Sequence, residues 1–191
     1  MIKLVSAVLL FLIAMTSQAR IFDGYYVTKN NDTVQCQIKV RVNMFNNDLV
    51  DPLSYRKSIS IIEKNGVKKR FKPFQIESLT IEHPNSEYSN IICIPISLNG
   101  RGWFVRAVDL GEINIYKMYY PDSYSAYRSL LVLQTESQEP KQITNPGFRK
   151  KVLNYLNNDP FFVEKFQDRA YKYDTLTDLV KEYNKANKKV N

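Results

Sequence analysis

Nine residues, Val34-Gln35-Cys36-Gln37-Ile38-Lys39-Val40-Arg41-Val42, alternate apolar and polar side chains without exception. Successive side chains point to opposite faces of a β-strand, whereas a helix repeats every 3.6 residues, so this period of two predicts a half-buried strand. The turn-prone cluster Asn30-Asn31-Asp32 precedes it, which makes Asp23 to Val42 a strand pair with one buried face and one wet face.

The rest of the chain up to Ile143 reads in the same way. Trp103 to Tyr120 predicts a central hairpin folded about Asp109-Leu110-Gly111, with Gly111 supplying the positive φ that a three-residue loop needs. That register pairs Val108 with Glu112. It sets Val105 opposite Ile115 and Ala107 opposite Ile113 on an apolar face, with Phe104 opposite Tyr116 and Arg106 opposite Asn114 on a mixed one. Ser58 to Lys72 forms a further hairpin about Asn65-Gly66, in which Glu63 faces Lys68. Phe74 to Glu82 begins as a turn at Pro73 and becomes a strand through Ile76, Leu79 and Ile81; strands also follow over Tyr88 to Ser97, with Pro95 at an edge or bulge, and over Arg128 to Gln134. Asn99-Gly100-Arg101-Gly102 is the turn into the central hairpin.

From Pro146 the apolar period becomes helical. Phe148, Val152, Tyr155 and Leu156 share one face, and Asp159-Pro160 caps a second helix with Phe162, Val163 and Phe166 inward. Leu176, Leu179, Val180 and Tyr183 fall at i, i+3, i+4 and i+7 in a third, which Thr175 and Asp178 start as a capping box. The predicted fold class is α+β: a mainly antiparallel sheet of hairpins or a meander, with room for strong curl, followed by about three short C-terminal α-helices.

The N-terminus carries Lys3, an apolar run from Leu4 to Met15 and the small-x-small triplet Ser17-Gln18-Ala19, the pattern of a signal peptide cleaved before Arg20. The domain reading is therefore a signal peptide over 1–19, a single domain over 20–187 (strands about 22–143, helices about 147–187) and a frayed tail over 188–191. Localisation follows as exported, to the periplasm, the cell surface or the medium. The segment after the leader has 26 basic and 19 acidic residues, a balance of +7, and Lys141 to Asn191 contributes +5 of it from 11 basic and 6 acidic residues. A basic end favours anionic partners, although scattered lysines are more often a solvated surface. Lys68-Lys69-Arg70 with Lys72 is the densest basic cluster, and lysine on an edge strand discourages sheet-to-sheet pairing. In an oxidising space Cys36 and Cys93 can form a disulfide; packing of Cys36 as a small hydrophobe is the other reading.

Motifs of catalysis are sparse. His83 is the sole histidine, which excludes a histidine-based metal cluster, and its place before Pro84 suits a loop. No Gly-x-Ser-x-Gly elbow, glycine-rich phosphate loop or calcium loop occurs, so no catalytic residue, metal ligand or cofactor is assigned. Carboxylates are many, and a pair of them suffices for glycoside hydrolysis, but Glu63, Glu77, Glu82, Asp109 and Glu112 all lie at turns or on wet faces in this reading. The more pointed feature is aromatic. Tyr116, Tyr119, Tyr120, Tyr124 and Tyr127 lie in or beside one loop, with Trp103 across the hairpin, and such rings with polar tips suit sugars or a protein interface. The candidate ligand-binding set is Trp103, Phe104, Arg106, Tyr116, Tyr119, Tyr120, Tyr124 and Tyr127.

Gly24-Tyr25-Tyr26-Val27, Asp32-Thr33-Val34, Phe104-Val105, Gly111, Ile115-Tyr116 and Tyr183-Asn184 together resemble a pattern found in small exported proteins of unknown function from Bacteroidetes-type bacteria, with strands first and helices last. In that pattern the turn is usually Gly-Asp-Thr and a glycine follows in the next strand; Asn31 and Cys36 occupy those places here. The resemblance implies location and architecture, and no activity or functional residue. The functional expectation is a noncatalytic exported binding or structural module that engages glycan or protein through an aromatic surface. The alternatives are a carboxylate-based hydrolase of glycan or peptide and a peripheral membrane-surface protein acting through its basic C-terminal helices. Expected partners are a cell-envelope protein, a glycan or an anionic membrane surface, and not nucleic acid.

Overall fold

The computed structural model describes residues 19–43, 46–85, 88–123, 127–168 and 171–188. The predicted leader therefore lies outside the described residues except for Ala19, as do Tyr124 and all of the predicted tail but Lys188. The fold is α+β: ten antiparallel strands in one open sheet, then three helices. The strands are β1 (Ala19–Val27), β2 (Thr33–Arg41), β3 (Ile59–Glu63), β4 (Lys68–Phe71), β5 (Ser78–Ile81), β6 (Ile91–Leu98), β7 (Arg101–Asp109), β8 (Ile113–Tyr120), β9 (Arg128–Thr135) and β10 (Lys141–Ile143). Their order, β10-β9-β8-β7-β6-β5-β1-β2-β3-β4, is two meanders joined where β1 pairs with β5. The helices are α1 (Phe148–Tyr155), α2 (Pro160–Gln167) and α3 (Leu176–Asn187).

Register and alternation carry each face from strand to strand. Phe22, Ile38, Ile61, Leu79, Cys93 and Phe104 share one face and bury a first core. Further along that same face Ile113, Ile115, Leu131, Leu133 and Ile143 bury a second core beneath the helices. The opposite face is apolar only across β6 to β9, where Ile96, Leu98, Val105, Tyr116, Met118 and Val132 form a third core. Over β2 to β4 that opposite face carries Lys39, Arg41, Ser60 and Arg70 instead.

The central hairpin keeps its predicted strands and changes its register. Arg106 pairs with Lys117 and Ala107 with Tyr116, and a bulge then precedes Asp109 opposite Ile115, a slip of three residues from the expected pairing. A slip by an odd number exchanges faces. Val105 and Ala107 thus join Tyr116 and Met118 in the third core, and only Ile113 and Ile115 of the expected apolar face meet the helices. The cause lies in α3. Asn184 is 6% exposed; its Oδ1 accepts from Ile113 N at 3.0 Å, and its Nδ2 donates to Ile113 O at 2.8 Å and to Asp109 Oδ2 at 2.7 Å. Gly111 is not among the residues at positive φ. A Cβ there would lie 2.6 Å from Asn184 Cγ, so glycine is required for the close approach of the helix.

The two Asn-Gly turns differ. Asn99 and Gly100, at φ 52° and 71°, make a two-residue loop between Leu98 and Arg101. At Asn65-Gly66 only Gly66 has positive φ, and Lys64-Asn65-Gly66 forms a three-residue loop closed by Glu63 N donating to Val67 O. Lys68 therefore faces Ile62, and Glu63 bonds Lys69 at 2.5 Å instead of Lys68. Pro95 sits in an interior strand, yet past Cys93, the last β6 residue paired to β5, where no ladder bond is lost. Asp159 caps α2 as expected, accepting from Phe161 N at 2.9 Å, whereas Val163 is exposed. Thr175 makes no capping box for α3; its hydroxyl closes the preceding turn with the Lys172 backbone.

Of the two readings for the cysteines, the packed one describes the structure and the disulfide is not formed. Cys36 and Cys93 are both free and buried in the first core, on strands separated by β1 and β5. Cys36 is pushed up to about 11 by burial and by the nearby Glu63 carboxylate, and burial raises Cys93 further.

Candidate functional site

The predicted aromatic set does not stay together, because alternation along β7 and β8 sends its members to both faces. Phe104 and Tyr116 are core residues at 1% and 3% exposure. Burial raises the Tyr116 phenol to about 12, and its hydroxyl donates to Gln134 Oε1 at 3.1 Å. Arg106, Tyr119 and Tyr127 lie on the first-core face around a cavity of about 130 Å³ that Tyr55 and His83 also line. Tyr119 and Tyr127 meet edge to face at 5.3 Å. His83 Nε2 lies 2.6 Å from Asp48 O and so carries the proton, while Nδ1 accepts from Asn85 N at 3.1 Å. These bonds hold the 83–85 loop on the 46–50 loop, a structural role. Trp103 and Tyr120 remain as neighbours on the other face.

What gathers them is Arg56, a residue that no local sequence signal marks. Beyond the Arg106–Lys117 pair, β7 and β8 splay, and Arg56 enters the gap. Its carbonyl accepts from Phe104 N at 2.9 Å and its Nη1 donates to Tyr119 O at 3.1 Å. The guanidinium then lies over the Trp103 ring at 4.9 Å and the Tyr120 ring at 5.5 Å from their centroids, a cation held against two aromatic faces. Burial raises the Tyr120 phenol, and its hydroxyl receives Gln142 Nε2.

Around this wedge lies a continuous groove on the wet face of β2 to β4. One part, a cavity of about 520 Å³, is lined by Lys39, Arg41, Arg56, Lys57 and Arg70 with Ser54, Ser58 and Ser60. The other, about 680 Å³, shares Lys57, Ser58 and Arg70 and adds Lys72, Arg101, Phe74 and Trp103. Among the described residues no carboxylate lines either part. Among the described residues one ion pair reaches it, Arg41 to Asp51 at 3.1 Å. The sequence placed the Lys68–Lys72 cluster on an edge, and β4 is an edge strand. Alternation then divides that cluster: Lys69 turns to Glu63, and Arg70 and Lys72 face the groove. Phe74 forms part of the rim, 47% exposed and held at φ 72°, a conformation a bulky residue rarely adopts. Gly102 leaves room for it; a Cβ there would lie 2.7 Å from the Phe74 ring.

The carboxylates are used elsewhere. Glu63 accepts from Tyr26 OH at 2.9 Å as well as from Lys69, which lowers its pKa, while burial and that bond raise Tyr26 to about 12. Glu112, Glu136 and Asp159 border a polar cleft of about 630 Å³ at the helical end, where Asp159 is taken up by Phe161 N and the Tyr183 hydroxyl. Compared with known proteins, the chain matches no protein-family model, no curated protein and no solved structure.

Proposed function

We propose that this protein is an exported, noncatalytic binding module of the cell envelope that holds an extended glycan in the groove between Lys39 and Trp103. One observation carries the reading: cations, serine hydroxyls and aromatic rings line the same groove, and among the described residues no carboxylate or imidazole lines it. Such a surface offers binding without chemistry. Trp103 lines the groove with its indole held against the Arg56 guanidinium, an aromatic and cationic surface that suits a sugar ring.

Trp103 is the sole tryptophan, so tryptophan emission excited beyond the tyrosine absorption band reports on the groove. Protein beginning at Arg20 should be retained on a panel of immobilised neutral and acidic polysaccharides, with a saturable change in Trp103 emission for those that bind. Trp103→Ala should abolish retention while the far-ultraviolet spectrum stays native. Absence of retention on every polysaccharide would overturn the reading. Export is checked separately: N-terminal sequencing of protein from the envelope or medium should begin at Arg20, and an intact Met1 would refute cleavage.

A further inference from the structure

We infer that the ligand of this groove is an acidic polysaccharide, a chain whose sulfate or carboxylate groups repeat along its length; this rests on the binding reading above. The cations do not converge on one point, as they would around a single anion. Lys39, Ser60 and Arg70 form one cross-strand row. Arg41 lies two residues further along β2, where its backbone and guanidinium meet Asp51, and Lys57 and Lys72 line the groove beyond Arg70. Lys39 and Arg41 are separated by roughly 7 Å along the strand, and Lys39 and Arg70 by roughly 10 Å across two strand spacings.

Serine hydroxyls alternate with the cations, so a sugar hydroxyl displaced from water finds a partner between two charge contacts. Arg70 gives its Nε to Ser58 Oγ at 2.8 Å, which orients the guanidinium and leaves its terminal nitrogens for an anionic group. The 53–58 segment and Pro73-Phe74 both border the groove. The strain held at Phe74 is spent on keeping an exposed ring at that rim.

The test measures Trp103 emission and column retention with dextran sulfate, polygalacturonate, neutral dextran, oligothymidylate and vesicles of anionic phospholipid. Dextran sulfate or polygalacturonate should bind, neutral dextran should not, and the affinity should fall with salt as counterions are released. Which of the two acidic polymers binds tighter assigns sulfate or carboxylate. Lys57→Glu with Arg70→Glu should weaken binding at least tenfold. Lys141→Glu with Lys150→Glu, an equal change of net charge at the far end of the sheet, should leave it within twofold. Equal losses in both double variants would reduce the effect to net charge and overturn the inference. Neutral dextran binding as well as the acidic polymers would overturn it while leaving the binding module standing. Tighter binding of oligothymidylate or vesicles would overturn it in favour of those ligands, and binding of none of the five probes would overturn it outright.

Discussion

Asn184 does the work of a strand residue from within a helix. It satisfies both backbone groups of Ile113 and takes the Asp109 carboxylate, so its amide closes the β7–β8 connection that Gly111 leaves open. Replacement by leucine of similar size leaves two buried backbone groups without partners, at about 1–3 kcal/mol each. Asn184→Leu should therefore cost about 2–4 kcal/mol by urea unfolding. Gly111→Ala, whose Cβ collides with that amide, should cost about 1–3 kcal/mol, in the range of overpacked sites. An unchanged urea midpoint in both would show that the contact contributes nothing. Phe74 is the opposite case. Glycine accepts its φ of 72° without strain, so Phe74→Gly should change stability by less than about 1 kcal/mol, strain relief offsetting the added freedom of the unfolded chain. The same substitution should weaken polysaccharide binding at least threefold, and a variant that is destabilised with full binding would make the ring structural.

Between elements, the free thiols report on how β2 and β6 are placed. Because both are buried and their pKa values are raised, neither should react with a disulfide reagent at pH 8 until the protein is unfolded, when both should. Added reductant should leave the melting temperature unchanged; a drop would show a bridge. Much of the element pattern was legible in the sequence. Strict alternation marked β2, the Asn-Gly pairs marked one hairpin and the turn before β7, and the 3.6 period with Asp159-Pro160 found the helices, since all these signals are local. Registers were not legible where a distant residue sets them. The β7–β8 slip depends on Asn184 in the last helix, and the β3–β4 slip brings Lys69 onto Glu63 beneath Tyr26. The candidate site was half legible for the same reason. Trp103 stood out beside the tyrosine-rich loop, but Arg56 is 63 residues from the Tyr119 carbonyl it bonds, and nothing in its own neighbourhood marks it.

For the whole molecule, buried phenols should dominate the alkaline limit. Tyr26, Tyr116 and Tyr183 are each raised to about 12, against about 10 in an unfolded chain. The native state holds these protons more tightly, so their contribution is complete below pH 10 and is lost as pH rises from 10 toward 12. Glu63 acts in the reverse sense, its lowered pKa withdrawing stability as the solution turns acidic. A urea midpoint that falls between pH 10 and 12, with phenolate absorbance appearing together with unfolding, is the expected outcome; phenols that titrate near pH 10 in the native protein would contradict it. The Arg56 wedge reaches furthest. Among the described strands the β1–β5 ladder joins the two meanders, and Arg56, from the first, is clamped between two strands of the second. A chain divided in the 73–77 connection should then yield halves that regain the Trp103 signal only when mixed, so that this protein could serve as its own split reporter.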